Sequence, residues 1–358
     1  MRTLLVSDLH LGARGAKPVL HDPACLRALC EAVAEADRLV LLGDVLELRE
    51  RPLRDVLDDA RPALAAIGET ALGDGRAAAE IVVVAGNHDH GLIEPWLRRR
   101  DRTSALGLEA EVVAASGDPL AVVLAALGGQ EGAAVRARAR YPGIWLRDET
   151  WATHGHHVDR HTTLPILERL SAAVMARLTA SRDPRSAEDY EAALAPVYAW
   201  IEALAEHTRA ERDLAGSAVA WRALSGRGGS PRRRALRAMF PALIAGLNRA
   251  GLGPLRADLS SAALRRAPLA AIGEVLTRLG VGARHVVFGH THRAGPLPGD
   301  DPAEWTTAAG TRLVNAGSWV RDRGLAGGDP ARSPYRPGWA VWVDEDPATA
   351  PELVNLLD

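Results

Sequence analysis

At 358 residues and a formal net charge of -2, the chain is long enough for a large core and gives no global electrostatic case for a nucleic-acid or membrane partner. Its two cysteines, Cys25 and Cys30, are too few for a disulfide framework, and no stretch reaches the roughly 18 consecutive apolar residues of a membrane span. Lys17 is the only lysine among 43 basic residues, so single arginines carry weight only where their position supports them.

The chain opens with TLLVSDLH (3–10), an apolar run that stops at polar residues and reads as a buried strand. It enters that strand without the long apolar stretch of a signal peptide, so a reducing cytoplasm is the expectation. CLRALCEAVAEA follows, with Leu26, Leu29 and Val33 on one helical stripe and both cysteines as small packing residues. RLVLLGD (38–44) and IVVVAGNHD (81–89) repeat the strand pattern, and strand–helix–strand order implies an α/β core with a mostly buried sheet. TWATHGHH (150–157) and HVVFGHTH (285–292) are two further strands of the same kind. RLVNAGSWV (312–320) and GWAVWVDED (338–346) are expected to close the sheet as antiparallel strands.

Residues 160–280 break this rhythm and are rich in Ala, Leu and Arg. Leu167, Leu170, Val174 and Leu178 predict one helical stripe, with Pro165 in its first turn, and Leu194, Val197, Ile201 and Leu204 predict another. SGRGGSPRRR (225–234) reads as a Gly-rich linker into a basic helix start, followed by the apolar ALRAMFPALIAGL. The expected organisation is a core of 1–159 and 281–358 interrupted by a helical insertion, 160–280.

In open α/β sheets, ligands bind beyond the carboxyl ends of the strands. The polar termini would converge there: Asp8 and His10, Asp44, Asn87 with His88 and Asp89, His154 and His156, and His290 and His292. One such set is a turn; five at corresponding strand ends make a site. Imidazole, carboxylate and amide oxygen together suit divalent Mn, Fe or Zn, and the absence of thiolates argues against a structural zinc. Two such ions about 3.5–4 Å apart can share a hydroxide, lower its pKa and clamp both oxygens of an in-line displacement at phosphorus.

The blocks SDLH (7–10), GD (43–44), GNHD (86–89), THGH (153–156) and GHTH (289–292) resemble, in order, those of the calcineurin-like metallophosphoesterase superfamily. The resemblance implies an αββα sandwich, with Asp8, His10 and His292 on one metal, Asn87, His154 and His290 on the other, and Asp44 bridging. It also implies that His88 is not a ligand but sits near the phosphate, stabilises the transition state and helps protonate the leaving oxygen, with Asp89 orienting its ring. His156 would contact substrate or support a ligand, and Asn315 would close the sheet beside the site.

SDLHLG, LLGDVLEL and HGHHVD look most like the branch containing the UDP-diacylglucosamine pyrophosphatases, which carry a helical lid. The insertion itself resembles that branch only in architecture. It could recognise an amphiphilic phosphate ester, dimerise or add core; in the first case Arg232, Arg233 and Arg234 would meet an anionic headgroup or a membrane surface peripherally. The leading expectation is a cytosolic dinuclear phosphodiesterase or pyrophosphatase acting on a small or amphiphilic phosphate ester, with no nucleic-acid partner. The alternatives are a phosphomonoesterase or phosphoprotein phosphatase, and a non-catalytic scaffold on the same fold. Oligomeric state is not legible.

Overall fold

Three short apolar segments form the centre of the sheet: β1 (Thr3–Val6), β2 (Arg38–Leu42) and β3 (Glu80–Val84) pair in parallel, with Leu5 opposite Val40 and Val40 opposite Val82. The computed structural model describes residues 1–14, 18–73, 79–101, 103–128, 136–164, 167–178, 183–207, 231–258, 260–321 and 332–358. Parallel strands need long crossovers, and helices supply them. α1 (Pro23–Ala34) lies between β1 and β2, started by Pro23 in its first turn and by Asp22, whose carboxylate accepts from Ala24 N–H. α2 (Leu53–Leu72) lies between β2 and β3 and buries Val56, Ala60, Leu64 and Ile67, a single helical face. α3 (Glu94–Arg99) and α4 (Pro119–Ala126) are short and flank β4 (Glu109–Val112).

The longest strand is one the sequence pattern does not announce. β5 (Ala137–Arg147) pairs in its first half with β3 in parallel and with β4 antiparallel. Its second half pairs antiparallel with β6 (Thr150–Thr153). Pro142 and Gly143 stand at the changeover, where a Cβ on Gly143 would collide with the Ala152 carbonyl and the Trp151 ring. β6 continues in parallel to β7 (His285–Phe288) and then to β8 (Arg312–Asn315). At the other edge β9 (Trp339–Val343) runs antiparallel to β1, and β10 (Glu352–Asn355) antiparallel to β9. Of the two closing strands expected to be antiparallel, only β9 is so. Residues 289–311 carry the chain back to the starting end of β7, which a hairpin cannot do, and β8 is therefore parallel.

One apolar layer draws on strands from both sides of β5: Leu5, Val40, Leu42, Val82 and Val84 with Ile144, Leu146, Ala152, Val287 and Val314. The contacts divide the chain into two units, one of Met1–His156, Tyr198–Arg209 and Gly282–Asp358, the other of His157–Val197 and Ala210–Val281. The first holds all ten described strands.

The second unit is helical, with α5 (Leu167–Leu178), the first half of α6 (Ala187–His207), α7 (Pro231–Arg249) and α8 (Ser261–Leu279). Leu194 and Val197 of α6 are buried on the expected stripe. The stripe expected on α5 is not the buried one: Val174 and Leu178 are exposed, and Arg169, Ala172, Ala173 and Ala176 are buried instead. Apart from Arg169 the residues of the buried face are alanines, and the larger Val174 and Leu178 are left outside. Ser260 caps α8 by accepting from Ala263 N–H, and Gly280 ends it in the left-handed conformation. No described helix is long and apolar enough to cross a membrane.

Truncating Leu5, which is fully buried in the shared layer, should cost about 2–5 kcal/mol by urea denaturation. Leu353→Ala, at a partly buried neighbour, should cost clearly less; equal losses would mean that the layer is not the folding core.

Candidate metal centre

Strain marks the site before any side chain is considered. Six described non-glycine residues have positive φ, and five of them are expected ligands: Asp8 (58°), His10 (45°), Asp44 (52°), His290 (66°) and His292 (57°). Such angles are costly for L residues with a Cβ and persist where the surroundings over-determine them. The surroundings do so here. Asp8 N–H donates to the Gly43 carbonyl (3.0 Å) and His10 N–H to the Asp44 carbonyl (2.9 Å), tying the loop after β1 to the loop after β2. Asn315, at the end of β8, donates its amide to the Gly289 carbonyl and to Thr291 Oγ1, both at 2.9 Å, and so clamps the loop bearing His290 and His292. The motif glycines admit their neighbours: a Cβ on Gly86 would strike Asp44 Oδ1, and one on Gly289 would strike Ser7 Oγ.

Among the described residues the donor atoms form overlapping groups; two are the expected sets, and a third, His10, Asp44 and His88, links them. The ligand atoms of Asp8, His10 and His292 lie within 4.8 Å of one another, as do those of Asp44, His154 and His290. In the first, His10 Nε2 is 3.1 Å from His292 Nε2, which is 3.2 Å from Asp8 Oδ1. In the second, Asn87 Oδ1 lies 3.1 Å from His154 Nε2 and 3.0 Å from His290 Nδ1, and Asp44 Oδ2 lies 3.2 Å from the same His154 nitrogen. Asp44 Oδ2 is also 3.8 Å from His10 Nε2, so one carboxylate faces both histidine sets.

The second ring nitrogens are committed elsewhere. His154 Nδ1 faces the Leu42 carbonyl at 3.0 Å, and His10 Nδ1 faces Glu47 Oε2 at 3.0 Å. With Nδ1 donating, each Nε2 is the nitrogen aimed into its cluster, and it offers a lone pair once the second proton is displaced.

His88 stands beside the first cluster with its ring edge-on to His10, centroids 4.7 Å apart. Its backbone N–H donates to Asp44 Oδ1 at 2.7 Å. The carboxylate on its ring is Glu47, 2.8 Å from Nδ1, and not the expected Asp89. Asp89 instead accepts from the backbone N–H groups of Gly86 (2.6 Å) and Val45 (2.7 Å), which makes it the brace of the turn that carries Asn87 and His88. Arg49 donates from Nε to the Asn87 carbonyl (3.1 Å) and brings Nη1 to 3.5 Å from His88 Nε2.

The electrostatics ask for positive charge. Burial alone would raise the carboxyls of Asp8 and Asp44, but the imidazoles around them, His154 foremost, hold both well below the usual range. Burial would likewise lower His154, yet Asp44 and Asp8 outweigh it and hold the ring at about 9. His88 goes the other way: burial, helped by Arg49, outweighs Glu47 and lowers it. Asp89, pushed up by burial and by Asp44 despite its backbone donors, sits at about 6.

A divalent cation fits this donor set. Asp8 Oδ1 is buried and makes no hydrogen bond, and Asn87 turns an amide oxygen toward two ring nitrogens, which suits a cation held among the three atoms when those nitrogens carry no proton. Turned over, the amide would donate to both rings and offer its oxygen to Arg49 at 3.1 Å, the arrangement suited to the metal-free protein.

A family model described as calcineurin-like phosphoesterase matches residues 1–187. The chain belongs to that family. Its members are metal-dependent hydrolases, and the clusters above are able to hold metal in this one. His290 and His292 lie beyond the matched segment, and the fold returns them to it. No curated protein matches the chain.

His156 is buried against His154, with ring centroids 5.6 Å apart, and its Nε2 lies 3.2 Å from the Tyr141 hydroxyl. It backs a candidate ligand and offers nothing at the surface. Arg232, Arg233 and Arg234 fall in the first turn of α7, and their side chains lie outside the described residues. Glu47 and Arg49 are the polar neighbours that pattern reading missed. The available signal was a single acid inside the apolar VLEL, where a half-buried helix or strand has no use for one.

Glu47→Gln should leave the protein folded but loosen His10 and His88 together, because one carboxylate serves both rings. Losses of about 10–100-fold in metal affinity or turnover are expected for such an outer partner. Unchanged metal content by elemental analysis together with unchanged turnover would remove Glu47 from the site.

Proposed function

We propose that the chain hydrolyses a phosphodiester or pyrophosphate bond at a dinuclear centre, with Asp8, His10 and His292 holding one divalent ion, Asn87, His154 and His290 the other, and Asp44 between them. The observation that carries the reading is the position of Asp44 Oδ2, 3.2 Å from His154 Nε2 and 3.8 Å from His10 Nε2. Bound ions of the Mn, Fe or Zn class supply an activated water and neutralise charge on the phosphoryl oxygens. The protein's own residues do the rest. Glu47 on Nδ1 of His88 turns Nε2 toward substrate and stabilises the imidazolium; in that doubly protonated form His88 passes its Nε2 proton to the departing oxygen and is left neutral, with Nδ1–H still on Glu47. Asp89 braces the turn that carries Asn87 and His88 through the backbone N–H groups of Gly86 and Val45. Arg49 adds a cation beside His88 suited to an anionic substrate.

The same reading takes the sheet halves on either side of β5 as the inner layers of an αββα sandwich, supported by the apolar layer they share. It assigns recognition of the non-phosphate part of a small or amphiphilic ester to the helical region 160–280, and cytoplasmic residence to the chain. Exposed Met239 and Leu243, one turn apart on α7, suit the amphiphilic choice and peripheral contact with a membrane surface.

Asp44→Asn should abolish hydrolysis and lower metal content with the fold intact; full metal loading with retained turnover would sink the shared-carboxylate scheme. His88→Ala should keep its metals and lose about a hundredfold or more in rate. That loss should shrink for a nitrophenolate leaving group, which needs little protonation. Equal losses for good and poor leaving groups would strip His88 of the acid role and leave it only an electrostatic one.

A further inference from the structure

The helical unit has a cavity of its own, about 620 Å³ in volume, lined by Arg160, His161, Arg169, Arg256, Arg266 and Arg278. Alanines of α8, Ala263, Ala267, Ala270 and Ala271 among them, form an apolar wall. Two acids also line it, and both are engaged. Glu274 accepts from Arg278 Nε at 2.6 Å, and Asp258 accepts from Ser260 N–H at 2.8 Å. Arg278 pairs with Asp183 as well, so its charge is met twice.

Arg169 is different. Its side chain is 1 % exposed; Nε donates to the Thr162 carbonyl and Nη2 to the Gly253 carbonyl, each at 3.0 Å. Nη1 is buried without a hydrogen-bond partner, and among the described residues no carboxylate pairs with this guanidinium. A buried arginine in that state carries a large desolvation cost that an anion would offset. The first turn of α8 contributes Ala262 and Ala263 to the lining, adding the positive end of a helix dipole. Burial, and then the charges of Arg278, Arg160 and Arg169, drive the His161 imidazole down to about 3.

We propose that this cavity is an oxyanion site, with Arg169 as its buried anchor, Arg256 and Arg266 at its exposed rim, and the alanine wall taking a small apolar group attached to the phosphate or carboxylate. The site stands apart from the phosphoesterase reading and does not rest on it.

The test uses full-length, zinc-loaded protein and inorganic phosphate, followed by NMR of the His161 ring, with His161→Gln to assign its signal. Saturable displacement of that signal is expected, with affinity roughly tenfold weaker in a variant carrying Arg256→Gln and Arg266→Gln. Arg169→Gln should remove the response; because Arg169 also ties Thr162 to Gly253, the rim variant serves if that protein fails to fold. No saturable displacement in the wild type, or a displacement that all variants share, overturns the proposal. A raised KM in the rim variant would identify the anion as part of the substrate. Lost phosphate binding at His161 with KM unchanged would identify a separate effector.

Discussion

Asp8 and Asp44 are carboxylates shut away from water at the carboxyl ends of neighbouring parallel strands, and most of the first unit follows from having to hold them there. A buried, ionised carboxylate is tolerated only with close positive charge and donated hydrogen bonds. The parallel pairing of β1, β2 and β3 puts their carboxyl ends on one edge of the sheet, and the parallel run β6, β7, β8 does the same for His154, His290 and His292. An antiparallel arrangement would have sent alternate loops to opposite edges and dispersed the ligands. The left-handed angles at Asp8, His10, Asp44, His290 and His292 are the local consequence, each in a loop that follows a strand end.

Glu47 shows how the two functions of the site are coupled. It faces His10, a candidate metal ligand, and His88, a candidate proton donor, within 3.0 Å of each. Anything that moves this carboxylate moves both rings, so the two positions are not independently adjustable on this side of the centre. On the other side, Asn87 and Arg49 play the matching part: one amide and one guanidinium connect His154 and His290 to the backbone that bears His88.

The five motif strands were legible because each is an apolar run that stops at a polar residue, and such a run is both strand and site in a parallel sheet. β5 was not, because Arg138 and Arg140 alternate with alanine and a Pro–Gly pair interrupts the segment, so neither a buried-strand run nor a clean alternation is present. The direction of β8 was not legible either, since it depends on which distant strand it meets. Glu47 hid for a related reason. Its neighbours are apolar, and its two partners are 37 and 41 residues away along the chain. The role first given to Asp89 fell to Glu47 because the turn before His88 consumes both Asp89 oxygens in backbone bonds. On α5 the leucine and valine spacing pointed to the wrong face, as alanine packing is invisible to a pattern built on large side chains.

Arginine is where sequence and structure weigh the same residues most differently. With arginine serving as nearly the whole basic complement of the chain, adjacency in sequence says little, at 232–234 as elsewhere. The fold sorts arginines by what their guanidinium groups meet. Arg278 meets two carboxylates, Arg49 a carbonyl and a histidine, and Arg169 two carbonyls and no acid. The first is neutralised where it stands. The second borders the candidate metal centre. The third is buried with no carboxylate on it among the described residues, and it lines a cavity with Arg160, Arg256 and Arg266, residues as far as 106 positions apart in sequence. A surface cluster of like charges is ordinarily a solvated face; a buried, unpaired guanidinium lining a cavity is a stronger physical indication of an anion, because water is not there to screen it.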